Sequence, residues 1–77
     1  MEIAPRVTVE PNVAHGAPVI AGTRVPVSIV IGSFAGGMSN EEVMREYQLS
    51  REDIKAALAY AADLVAKTEA VPLVGAR

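Results

Sequence analysis

The decapeptide PVIAGTRVPV, residues 18–27, separates an extended part of the chain from a helical part. Its two apolar runs flank Ala21-Gly22-Thr23, and a glycine in a short connector between β-branched runs is typical of a β-hairpin. Pro18 and Pro26 cannot donate a ladder hydrogen bond, so we expect each at a strand end or a sheet edge. After Pro26 the spacing of apolar residues changes from two to nearly four. The sequence therefore predicts strands before this stretch and helices after it.

Upstream of the hairpin, residues 6–10 (RVTVE) alternate between polar and apolar side chains. This pattern predicts a half-buried strand with Val7 and Val9 on one face. The loop at residues 13–17 contains His15, which we expect on the surface. Three short strands do not make a self-sufficient sheet, so they are expected to lie on helices or to pair with another chain.

Downstream, the sequence predicts three helices. The first covers Val27 to Ala35, and Gly36-Gly37 ends it. Ser39 followed by Glu42 is the signature of a capping box, so a second helix begins there. Because a short break separates the second helix from the third, the pair has a helix-turn-helix outline, with the first helix as its support.

The third helix is predicted over Arg51 to Lys67, with Ser50 as its cap and Asp53 in the reciprocal position. Its predicted core face is a stripe of apolar residues at helical spacing: Ile54, Leu58, Ala61 and Val65. Between residues 56 and 66 only Asp63 is charged. A helix this apolar around its circumference is usually covered on more than one side. We expect the second cover to come from another subunit or another protein.

The composition predicts a protein that associates with a second copy of itself. The chain has 77 residues, 51% of them hydrophobic, and no cysteine. A domain of this size buries only about 60% of its unfolded surface, so we expect a homodimer. The net charge of −2 argues against a protein whose main role is non-specific binding of nucleic acid. No signal peptide or membrane-spanning run is recognised, so we expect a cytoplasmic protein without a membrane partner.

Catalysis is not expected. His15 is the only histidine, and a nucleophile–base pair would need a serine beside it, whereas Ser39 and Ser50 are already explained as caps. The carboxylates of Glu41, Glu42 and Glu46 are better explained by the positive end of a helix dipole than by a metal site. No phosphate-binding loop is present, so the sequence predicts no enzyme, no cofactor and no metal.

The remaining candidates are binding residues. If the third helix reads DNA, Arg51 and Lys55 would reach base edges and Arg45 a phosphate; the alternative is that they are solvated charges, with Lys55 paired to Glu52. Arg24 could anchor a partner's carboxylate, with Thr23 beside it, or Arg24 could pair with a helix acid and Thr23 bond within the turn. The tail, with Val71, Leu73 and Val74, is either a frayed terminus or an apolar peptide that orders on a partner.

Three segments, residues 16–27 (GAPVIAGTRVPV), 37–43 (GMSNEEV) and 49–61 (LSREDIKAALAYA), resemble the small prokaryotic family called domain of unknown function 433. The resemblance extends over about residues 7–66. It implies a homeodomain-like helical bundle preceded by short strands. It also implies an antitoxin of the VapB type, paired with a PIN-like ribonuclease toxin.

Together these observations predict an α+β, mostly α, single domain over residues 1–77. Strands and a hairpin occupy 1–27, a three-helix homeodomain-like (helix-turn-helix) bundle 28–67, and a tail 68–77. The leading function is an antitoxin-like protein-interaction module that neutralises a PIN-like ribonuclease toxin. The alternatives are a small dimeric DNA-binding regulator acting on operator DNA, both roles together, or an orphan dimeric module.

Overall fold

The computed structural model of the chain describes residues 1–68. A three-stranded antiparallel sheet in the order β1-β2-β3 precedes three helices, so the domain is α+β and mostly helical. The elements are β1 (Glu2–Ala4), β2 (Val7–Thr8), a 3-10 turn (Ala14–Gly16), β3 (Val19–Ile20), α1 (Val27–Ala35), α2 (Asn40–Tyr47) and α3 (Arg51–Lys67). The predicted partner residues Val71, Leu73 and Val74 lie outside the described residues.

The sheet differs from its prediction at the N-terminus. The expected strand over residues 6–10 is confined to β2, and Val9 instead donates its amide to the Met1 carbonyl oxygen at 2.9 Å. Arg6 adopts a left-handed conformation with φ of 62°, which turns the chain between β1 and β2. The short strand β1, which the sequence pattern did not predict, pairs with β2 through this turn.

The predicted hairpin forms, but one of its arms is short. The Ile20 amide donates to Val25 O and the Thr23 amide to Ile20 O, both at 3.0 Å. Beyond them the second arm makes a single bridge, between Val19 and Pro26. Since proline has no N–H to extend a ladder, pairing stops at Pro26 and α1 begins at the next residue. The first amide of α1, that of Val27, donates to Pro18 O at 2.9 Å.

Both predicted capping boxes are present. Ser39 Oγ accepts the Glu42 amide at 3.1 Å, and Glu42 Oε1 accepts the Ser39 amide at 2.8 Å. Ser50 and Asp53 make the same reciprocal pair at 3.0 and 3.1 Å. These bonds satisfy amides that a helix start otherwise leaves free, which is why α2 and α3 begin where the sequence predicts. Gln48, with φ of 56°, supplies the left-handed turn between them.

The core lies between the sheet and the N-terminal halves of the helices. Its buried members come from every layer: Val7, Ile20, Val27, Val30, Val43, Leu49, Ile54 and Ala57. The strands are therefore not a separate unit, because Val7 and Ile20 pack into the same cluster as the helices.

The predicted core stripe of α3 is wrong beyond Ile54. Ile54 is buried, but Leu58 is 45% and Val65 72% exposed, and Ala61 is only half-buried. Length explains the difference: α3 has 17 residues and spans about 25 Å, whereas the 9 residues of α1 span about 13 Å. The C-terminal half of α3 has the expected apolar face but extends past the elements that would cover it.

Candidate functional site

An apolar groove separates α1 from the C-terminal half of α3. It has a volume of about 460 Å³. Only two of its lining residues, Ser28 and Tyr60, carry a polar side-chain atom. The lining consists of Pro18 from the hairpin, Val27, Ser28, Ile31 and Gly32 from α1, and Tyr60, Ala61 and Leu64 from α3. We call this feature the α1–α3 groove.

The sequence of α1 explains why its side of the groove is apolar. The helix reads VSIVIGSFA and has no charged residue. Val27 and Val30 face the core, while Ser28, Ile29 and Gly32 are exposed. A solvent-exposed helix face normally carries charged side chains, so this face is unusual for a surface helix.

A hydrogen bond joins α1 to α2 and fixes the position of α1. Ser33 Oγ lies 3.0 Å from the Tyr47 hydroxyl, and it also donates to Ile29 O at 2.8 Å. No pattern in the sequence linked these two residues, because they are far apart on different helices and each is unremarkable alone. Among residues 1–68 no buried side-chain nitrogen or oxygen atom lacks a hydrogen-bond partner.

The hairpin separates its two predicted partner-binding residues. Thr23 Oγ1 donates to Ile20 O at 2.7 Å and accepts the Val25 amide at 3.0 Å, so its hydroxyl serves the turn. Arg24 is exposed, and its Nη2 donates to Asn12 O at 3.4 Å. Contrary to one of our alternatives, no carboxylate of residues 1–68 pairs with Arg24. Most of its five donors remain open to a partner.

The three candidate DNA-binding residues are exposed around the α2–α3 turn. Arg45 lies in the last turn of α2, and Arg51 and Lys55 begin α3. In the part of the chain that the structure describes, none of the three takes part in an ion pair, and the expected pair between Lys55 and Glu52 is not formed. The same two helices also carry five acidic residues: Glu41, Glu42, Glu46, Glu52 and Asp53.

Hydrogen bonds stabilise two of these carboxylates in their charged form. The Ser39 amide, followed by the Ser39 hydroxyl, lowers the pKa of Glu42. Burial by itself raises the pKa of Asp53, but the Ser50 amide and hydroxyl and the Arg6 guanidinium outweigh it, so the pKa lies below its usual value. Arg6 Nη1 is 3.0 Å from Asp53 Oδ1, a contact that attaches the N-terminal strands to α3. Both carboxylates therefore have structural roles, as helix caps and, for Asp53, as the partner of Arg6.

Neither a metal cluster nor a membrane-spanning helix is found in residues 1–68. No three side chains of the kinds that bind metal come together there. No helix in that range is long and apolar enough to cross a bilayer. His15 is exposed in the 3-10 turn, with φ of 55°, as its surface-loop prediction requires.

Residues 7–61 match the model of a family described as "Protein of unknown function (DUF433)". The chain belongs to DUF433. A similar structure is the crystal structure of a DUF433 member from Anabaena variabilis, with a TM-score of 0.71 and 29% identity over 75% of this chain and 58% of that one. The three-helix arrangement with its N-terminal strands is thus a DUF433 fold.

A longer relative contains a similar segment. The uncharacterized protein y4eO of Sinorhizobium fredii is 42% identical over 72 residues, which cover 92% of this chain and 29% of that protein. The DUF433 chain thus spans less than a third of that relative and little more than half of the solved one. The family match covers every lining residue of the α1–α3 groove except Leu64. No sequence pattern predicted the groove, although Gly32, a glycine inside an apolar helical segment, was a usable signal.

Proposed function

We propose that this DUF433 chain is an antitoxin-like protein-interaction module that acts in the cytoplasm and neutralises a PIN-like ribonuclease toxin. Neutralisation would consist of covering the toxin's active-site surface and would need no chemistry from this chain. The observation that carries the proposal is the apolar surface that α3 leaves uncovered. Leu58, Leu64 and Val65 are 45%, 53% and 72% exposed on one helix.

This surface favours a protein partner over the other classes. A nucleic acid would be bound by clustered cations, and a metabolite by convergent polar groups. The exposed half of α3 offers neither, since Asp63 and Lys67 neutralise each other at 3.0 Å. Several large apolar side chains exposed on one helix of a small domain are typical of a site that another protein covers.

Arg24 adds a polar anchor to this interface. It is exposed at the hairpin and is not paired with a carboxylate of residues 1–68. A guanidinium in this state can bind a carboxylate through two parallel hydrogen bonds, which provides specificity that apolar contact lacks. Thr23 supports it indirectly, because its hydroxyl holds the turn on which Arg24 is displayed.

Co-expression tests the antitoxin role. The product of the adjacent reading frame should stop growth when expressed alone, and this chain should restore growth and co-purify with that product. Val65→Asp and Arg24→Ala should weaken both effects, since neither residue contributes to the core. Ala59→Asp, an equal charge on another face of α3, is the matched control. Growth arrest that this chain fails to relieve would overturn the proposal.

Operator binding is a second candidate, favoured by three exposed cations on a helix-turn-helix outline. Five carboxylates on the same two helices as Arg45, Arg51 and Lys55 oppose it, so we rank it below the antitoxin role. If DNA is bound, the affinity should fall steeply as the salt concentration rises. Arg51→Ala or Lys55→Ala should reduce both the affinity and the slope of its logarithm against the logarithm of the salt concentration. Lys67→Ala, a cation at the far end of α3, is the control. Equal binding by all three variants would show that α3 does not read DNA.

A further inference from the structure

We propose that the α1–α3 groove is a self-association surface, on which a second copy of this chain docks about a two-fold axis. The inference goes beyond the antitoxin role, because it concerns the chain alone and requires no toxin. It rests on the charge, the shape and the glycine content of one face.

The charge distribution favours a second copy over a different protein. A two-fold axis places a surface against itself, so any charge near the axis meets a like charge. The exposed face of α1 carries no charge at all, and the nearest charges on α3, Asp63 and Lys67, are already paired. By contrast, α2 exposes Glu41, Glu42 and Glu46, which would repel their own copies. The groove face is therefore suited to meet itself.

The shape of the same face is self-complementary. The groove lies beside the exposed apolar side chains of α3, so each copy offers both a concave and a convex apolar element. A two-fold interface requires this combination on one patch, because the patch must fit itself. Leu64, which lines the groove, is 53% exposed and would be buried by a second copy.

Gly32 is an independent sign of a close approach. It lies in the interior of α1, where glycine costs up to about 1 kcal/mol relative to alanine. Nothing within one chain requires it, since its φ is not left-handed and an added Cβ would meet no atom within 4 Å. A helix from a second copy, packed against the groove, gives a reason for the missing side chain: backbones approach closely only where side chains are small.

Sedimentation equilibrium on the full chain, from low to high micromolar concentration, tests the proposal. The wild type should show twice its monomer mass of 8.1 kDa, and the dimer should dissociate on dilution. Gly32→Leu fills the groove, and Leu64→Glu places a charge in it. Each should raise the dimer Kd at least about 30-fold, the loss typical of a central interface residue.

Controls separate docking from folding and from other surfaces. Both changes are at exposed positions, so circular dichroism should show an intact helical fold. Gly32→Ala should have a smaller effect than Gly32→Leu, and Ala59→Glu, about 140° around α3 from Leu64, should leave the Kd unchanged. A wild type that stays monomeric throughout, or dimers unaffected by Gly32→Leu and Leu64→Glu, would overturn the proposal. So would dimers lost only with Leu73→Asp, which would assign the interface to the C-terminal segment.

Discussion

The two halves of α3 differ in their surroundings far more than in their sequence. Ile54 and Val65 are eleven residues apart, about three helical turns, and so lie on nearly the same face. Ile54 is 3% exposed because the sheet, α1 and α2 pack around it, whereas Val65 is 72% exposed near the C-terminal end of the helix, where none of the described elements covers it. Periodicity tells which face of a helix is apolar, but the length of the neighbouring elements determines where along the helix that face is buried.

The halves also differ in how their ends are bonded. At the N-terminal end, Ser50 and Asp53 satisfy each other's amides and Arg6 attaches Asp53 to the strands. At the other end, Thr68 Oγ1 donates to Leu64 O at 2.9 Å, within the helix itself. One half is therefore fixed by contacts with other elements and the other by its own helix. We take the first as the scaffold and the second as the interaction surface.

The largest difference in stability should come from truncating one apolar side chain in each half of α3, on the same face of the helix. Ile54→Ala removes buried side-chain volume and should lower the free energy of unfolding by about 2–5 kcal/mol. Val65→Ala should change it by less than about 0.5 kcal/mol, because the side chain is exposed in one chain. Urea denaturation, at concentrations low enough to avoid association, measures both. Equal losses would mean that the C-terminal half of α3 is covered within a single chain.

Removing a hydrogen bond should also destabilise the protein more at the N-terminal end of α3 than at its C-terminal end. Ser50→Ala removes the cap and should cost about 1 kcal/mol, as N-cap deletions commonly do. Thr68→Ala removes only a bond to the preceding turn and should cost a few tenths of a kcal/mol at most. Thermal unfolding of the two variants compares the ends directly. A larger loss at Thr68 would contradict the division of α3 into a fixed and an open half.

The sequence was sufficient for the scaffold because its signals are local. The two serine caps define the starts of α2 and α3, and Gly36-Gly37 follows the end of α1, so the helix bounds were predicted as observed. It was not sufficient for the groove, which depends on how far α3 extends beyond α1. Nor did it predict the contact between Arg6 and Asp53, which are 47 residues apart and carry no local pattern that pairs them.

Acid should destabilise the fixed half through Asp53. Its pKa is depressed in the folded chain, so its contribution is fully present above the unfolded value near 3.8 and is lost as pH falls through the folded value. The wild type should therefore lose stability over this acidic range, and Asp53→Asn, which has no proton to bind, should lose less. Urea denaturation from neutral to acidic pH measures the difference. Identical pH profiles would show that Asp53 is not the group responsible.

The smallest expected difference is in the coupling free energies of the two ion pairs of α3. Arg6 and Asp53 join elements far apart in the chain, and the Asp53 side chain is only 16% exposed, so a double-mutant cycle should give about 0.5–1 kcal/mol. Asp63 and Lys67 are 61% and 74% exposed within one helix and should couple by about 0.3–0.5 kcal/mol or less. A stronger coupling of the second pair at low protein concentration would mean that something shields it from water. Ala4 and Pro5, which line one pocket together with Asp63, would then be the first candidates for that shielding, and the C-terminal half of α3 would no longer qualify as a free surface.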